Sequence, residues 1–250
     1  MDERFKLYAI DMRGFGESSY HQKITSIKEL SDDMKQWVDE IGVQHFSIIG
    51  WSTGGAVGMQ FSIDYPSYCE NLILLASAST RGYPFFGTKE DGTVDFMNRL
   101  RTIDEVKMDS GKTIPVQEAY DDNNREFLRS LWNALIYTHQ QPDDDHYEEY
   151  IDDMRTQRNL ASIYHALNTF NISSVHNGLV NGSNQASSIS IPVLVLRGDR
   201  DYVITKEMTD EIVEDIGENA TFVELKNSGH SPLIDDIDQL LGVVTSFLQR

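Results

Sequence analysis

Apolar positions along this chain change their period in a regular alternation. Ile27, Leu30, Met34, Trp37, Val38 and Ile41 recur three or four residues apart, the spacing of one helical face, and Gly42 follows as a stop. A small apolar run at residues 45–49 then enters Gly50-Trp51-Ser52-Thr53-Gly54-Gly55, and residues 56–65 resume a helix-compatible pattern. Residues 71–76 form the next strand candidate. Helix and strand patterns thus alternate from Lys6 to about Ala76, and the alternation returns near Ile191. Residues 191–196 are dense in β-branched and aliphatic side chains, as a strand buried on both faces should be. Met208, Ile212, Val213 and Ile216 mark a helix, residues 221–225 a strand, and Ile237, Leu240, Leu241, Val244, Phe247 and Leu248 the last helix. Such alternation predicts βαβ units and an α/β fold with a mostly parallel sheet.

Between about Ser77 and Ser190 the alternation stops. That stretch is helical in pattern and rich in aromatics, among them Phe96, Phe127, Trp132, Tyr137, Tyr147, Tyr150 and Tyr164. The expected division is a first core part at residues 1–76, an inserted helical cap at 77–190, and a second core part at 191–250. A lid of this kind shapes a pocket and excludes water. Tyr83-Pro84-Phe85-Phe86, where the chain leaves the core, and Trp51 are the candidates for pocket wall. Aromatics also dominate ordinary packing, so the same residues equally fit a cap packed on its core. Residues 177–190, rich in Gly and Ser, read as the return linker. Pro142 followed by Asp143, Asp144 and Asp145 reads as a helix start, with the carboxylates favoured by the helix dipole, rather than as a cation loop.

The candidate chemistry begins at Ser52. A serine on a strand-to-helix turn, with glycines that permit a strained backbone and close packing, projects its hydroxyl from the sheet edge. It becomes a nucleophile only with a base, and the base needs an orienting acid. Strand 191–196 stops at Arg197-Gly198-Asp199-Arg200-Asp201, which puts an acid just past its C-terminal end. Strand 221–225 runs into Lys226-Asn227-Ser228-Gly229-His230-Ser231-Pro232, a loop that carries a histidine before the last helix. Of seven histidines, His230 alone has this context; the others read as surface or packing residues.

The order Ser, Asp, His, together with these segments, resembles the α/β-hydrolase superfamily over nearly the whole chain. Asp11-Met12-Arg13-Gly14-Phe15-Gly16-Glu17-Ser18 is similar to the D-x-R-G-x-G-x-S segment after the family's fourth strand, with Arg13 available to pair with a carboxylate such as Asp11. The resemblance implies Ser52 as nucleophile, His230 as base, Asp201 (the G-x-x-D position counted from Gly198) as orienting acid, and the Thr53 backbone N–H as oxyanion donor. Asp199 is then a turn residue. The family's second donor follows its third strand and is usually announced by an H-G dipeptide, which this chain lacks. Matching residues 1–10 to the approach into the fourth strand implies that the first three strands and the oxyanion loop are missing, leaving a gap in the sheet between the strands led by Lys6 and His45. The elbow together with Arg81-Gly82-Tyr83-Pro84 is similar to a bacterial branch of capped hydrolases that includes intracellular polyhydroxyalkanoate depolymerases. The expected activity is cleavage of a small carboxylic ester through an acyl-serine. A 3-hydroxyacyl oligoester depolymerase, a C–C bond hydrolase and a non-catalytic or inactive hydrolase-fold protein are the other readings of the same residues.

Composition narrows the partners. A formal net charge of −19 opposes nucleic acid and anionic membrane surfaces. The resemblance implies a small-molecule acyl substrate as partner, with no cofactor and no metal. Cys69 is the lone cysteine, which excludes an intramolecular disulfide and points to a reduced, cytoplasmic setting. The first residues carry charges and no apolar signal-peptide core. Oligomeric state is not legible.

Overall fold

A computed structural model describes residues 5–249. A four-stranded parallel sheet holds the chain together, built from β1 (Phe46–Trp51), β2 (Cys69–Leu75), β5 (Val193–Gly198) and β6 (Ala220–Leu225), in the order β1-β2-β5-β6. The strand periodicity of two splits each buried strand between two layers. Leu72, Leu74, Val193 and Val195 face one cluster, completed by residues from α1 (Ile27–Glu40), α2 (Thr53–Asp64) and α8 (Lys206–Ile216). Ile73, Leu75, Leu194 and Leu196 face the other, covered by Leu240, Val244 and Phe247 of α10 (Ile237–Leu248). A continuous apolar run is what a strand covered on both faces requires.

The segment between β2 and β5 contains an antiparallel hairpin, β3 (Phe86–Thr88) and β4 (Val94–Arg99), that the aromatic pattern does not announce. It continues through α3 (Ile103–Lys107), α4 (Thr113–Asp121), α5 (Arg125–Leu135), α6 (Asp144–Met154) and α7 (Leu160–Thr169). Helices α4 to α6 share their own apolar cluster, in which Leu128, Tyr147 and Ile151 are fully buried. Helix α7 adds Leu160 to that cluster and gives Ile163, Ala166 and Leu167 to the main core. The acids after Pro142 do begin a helix: Asp143 caps α6, its carboxylate accepting from the His146 N–H at 3.1 Å.

Two expectations from the first residues need correction. Residues 6–10 form no strand, and Arg13 pairs with Asp33 of α1 rather than with Asp11. A strand exists only where a neighbour completes its ladder, and among the described residues none lies beside residues 6–10. Asp11 is occupied by its own turn, its carboxylate accepting from the Glu17 N–H at 3.0 Å while its carbonyl accepts from the Ser18 hydroxyl at 2.6 Å. Residues 1–4 of the expected fourth-strand approach lie outside the described residues. Strand β1 is accordingly an edge among the described residues; Ile48 is buried, while Ile49 on the opposite face is 45% exposed because the α10 layer does not reach it.

Candidate active site

Ser52, Asp201 and His230 each sit beyond the C-terminal end of a parallel strand, where helix N-termini and loop backbone converge. Ser52 follows β1 and precedes α2 with φ 54° and ψ −115°. A non-glycine residue with positive φ is strained, and the surroundings hold it there. Its N–H donates to the Leu75 carbonyl at 3.0 Å, and its carbonyl accepts from the N–H groups of Gly55 and Ala78 at 3.1 and 3.2 Å. The glycines are needed for contact: a Cβ on Gly50 would lie 2.4 Å from the Gly54 carbonyl oxygen, and one on Gly55 would lie 2.0 Å from the Ser77 hydroxyl.

His230 Nε2 lies 3.2 Å from Ser52 Oγ, and His230 Nδ1 lies 3.0 Å from Asp201 Oδ2 and 3.2 Å from Oδ1. Both His230 and Asp201 are buried. Asp201 Oδ1 also accepts the N–H groups of Val203 and Ile204 at 2.8 and 2.9 Å, so the carboxylate that faces the imidazole is fixed by backbone donors. Thr53, next to Ser52, begins α2, and its N–H belongs to the first-turn donors that have no acceptor within a helix. Gly198 lets the acid loop approach the base loop, since a Cβ there would stand 2.2 Å from the Ser228 carbonyl oxygen. Asp199 serves the same junction, accepting from the Ser228 N–H at 3.2 Å.

The aromatic candidates divide. Trp51 is at the site: its indole N–H donates to the His230 carbonyl at 2.8 Å, and its ring lies 5.5 Å from the imidazole. Tyr83 is close enough for the Asp201 charge to act on it; burial first and that charge second push its phenol above the ordinary value. Phe85 stacks on Tyr164 at 4.7 Å within a cluster with Leu100 and Val106, and Phe86 meets Phe96 edge-on in the hairpin. Arg197 is a member that sequence reasoning missed. Buried at the end of β5, it donates to the carbonyls of Ile204 at 2.8 Å and Asp201 at 3.2 Å and so braces the acid loop. The signal was a charged residue closing an otherwise apolar strand.

A parallel sheet whose strand ends bring together a serine at positive φ, a histidine and a carboxylate is the arrangement that the α/β-hydrolase resemblance implied. Residues 1–237 match the family model described as the alpha/beta hydrolase fold, and the chain belongs to that family. It is similar to AB hydrolase superfamily protein YisY of Bacillus subtilis, 20% identical over 97% of this chain and 81% of that protein. It is 21% identical to proline iminopeptidase PfmaB of Pestalotiopsis fici, over 100% of this chain and 84% of that one. Among solved structures, an esterase of Exiguobacterium antarcticum superposes with a TM-score of 0.67 at 16% identity, covering 96% of this chain and 80% of its own. A bromoperoxidase of Bacillus anthracis gives the same TM-score and coverage at 16% identity. These likenesses establish the fold. No helix among the described residues is long and apolar enough to cross a membrane.

Proposed function

We propose that this chain is a serine hydrolase that cleaves small carboxylic esters. The carrying observation is the continuous contact from Ser52 Oγ to His230 Nε2 at 3.2 Å and from His230 Nδ1 to Asp201 at 3.0 Å. In this reading Ser52 Oγ attacks the ester carbonyl while His230 takes its proton. The tetrahedral intermediate collapses, His230 returns the proton to the departing alcohol, and an acyl-serine remains. Water, deprotonated by His230, then attacks the acyl carbonyl and releases the acid and Ser52. Asp201 holds the tautomer that leaves Nε2 free to accept and stabilises the imidazolium. The Thr53 N–H faces the developing oxyanion. A site served by that donor alone would turn over about 10²–10³-fold more slowly than one with two.

The segment between β2 and β5 serves as the cap in this reading. Tyr83 and Trp51 border the acyl site, and the stacked Phe85 belongs to the cap's own packing. The test is labelling with a fluorophosphonate beside a Ser52→Ala control, with turnover of p-nitrophenyl acetate and butyrate. Ser52-dependent labelling and turnover are expected. A folded chain that neither labels nor turns over would leave a hydrolase-fold protein without this activity.

A further inference from the structure

Asp235 ends α9 (Pro232–Asp235), the short helix that follows the histidine loop, and is 4% exposed. Burying a carboxylate is costly unless its oxygens find donors, so its partners define its task. Oδ2 accepts from the Gly229 N–H at 2.7 Å, reaching back across the loop to the residue immediately before His230. Oδ1 accepts from the Gln140 N–H at 2.9 Å, and the Gln140 side-chain amide donates to the Asp235 carbonyl at 2.6 Å. Gln140 lies on the irregular connection between α5 and α6, distant in sequence from both catalytic loops.

The same connection touches those loops twice more. A Cβ on Gly229 would stand 2.6 Å from the Thr138 hydroxyl, so the Thr138 side chain packs directly against the backbone there. His139 Nε2 lies 3.5 Å from Arg200, whose N–H donates to the Ser228 carbonyl at 2.9 Å. The connection therefore crosses both the acid loop and the base loop, and Asp235 is the group that bonds it to the backbone carrying His230.

We propose that Asp235 is a positioning residue: it ties loop 137–140 to the backbone before His230, so that the base is aimed at Ser52 only when that loop is seated. This rests on the reading of His230 as the base. A carboxylate is required because both oxygens face N–H donors; an Asn would turn its own NH₂ toward one of them.

The experiment compares wild type, Asp235→Asn and the charge-matched surface control Asp238→Asn in the full chain. Turnover of p-nitrophenyl butyrate, circular dichroism and the NMR signal of the His230 Nδ1–H proton are measured for each. In Asp235→Asn, kcat should fall about 10²-fold, as a misplacement of roughly 1 Å would cause, with KM within about twofold and the ring-proton signal broadened or lost. Asp238→Asn should match wild type. An Asp235→Asn protein with kcat within about threefold of wild type and an unchanged ring proton overturns the proposal. If Asp235→Asn does not fold, Gln140→Pro decides, since it removes both donors at an exposed position: a loss of about tenfold in kcat at constant KM supports the tie, and unchanged kcat overturns it. If wild type is no more active than Ser52→Ala, the hydrolase reading fails by itself, and the ring-proton comparison still decides whether Asp235 positions His230.

Discussion

At the scale of single residues, the candidate site is held by placement. Asp201 faces the imidazole with a carboxylate pinned by the N–H groups of Val203 and Ile204, so Asp201→Asn keeps the shape of the loop and loses the correct tautomer. Its kcat should fall about 10⁴-fold with little change in thermal stability, checked by p-nitrophenyl ester kinetics beside a melting curve. Cys69 shows the opposite case of a reactive atom made inert. Burial pushes its thiol up to about 11, so thiolate is scarce at neutral pH. It should react with a disulfide reagent only after denaturation, and prompt labelling of the native protein would contradict its buried placement.

Elements are set by how closely their ends can meet. Gly198 stands where the acid loop touches the Ser228 and Gly229 carbonyls, at 2.2 and 2.3 Å from a hypothetical Cβ, and both contacts are backbone. Gly198→Ala must move one loop against the other, which should destabilise the fold by about 1–3 kcal/mol in urea titration and lower kcat as well. The start of α6 responds to pH. The Asp143 carboxylate beside His146 raises the imidazole above its ordinary 6.5, and His146 in turn lowers Asp143 below 3.8. The histidine's contribution is complete below 6.5 and is lost as pH climbs through its raised value. The aspartate's is complete above 3.8 and is lost as pH falls through its lowered value. The helix start is thus best supported between those two ordinary values. An NMR titration should place His146 above 6.5, and Asp143→Asn should bring it back down.

For the whole molecule, the sheet's two layers cover unequal ground. Helix α10 and its cluster cover β2, β5 and β6, while Ile49 and Trp51 on β1 remain 45% and 36% exposed beside a strand edge that is unpaired among the described residues. Exposed apolar side chains on an open edge invite association between copies. Ile49→Lys should therefore raise the concentration at which light scattering first detects oligomers, with the fold unchanged. A monodisperse wild type indistinguishable from this variant would show that the edge is protected.

Much of this was legible because local rules and tertiary structure agree in the core. The period of three to four over 27–41 is helix α1, the aliphatic runs are β2 and β5, and the last apolar series is α10, since an element that buries a face must carry the matching period. That Ser52, Asp201 and His230 would meet at one rim of the sheet was also legible, because each follows a strand and strand ends converge. The hairpin β3–β4, the Arg13–Asp33 pair and the failure of residues 6–10 to form a strand were not, because each depends on which neighbour is present. The sequence by itself determined the order of elements and the chemical kinds of group at their ends, through periodicity and turn residues that act over a few positions. The tertiary structure alone decided that Asp235 reaches Gly229 on one side and Gln140, distant in the chain, on the other, because hydrogen bonds depend on distance in space and not on separation in sequence.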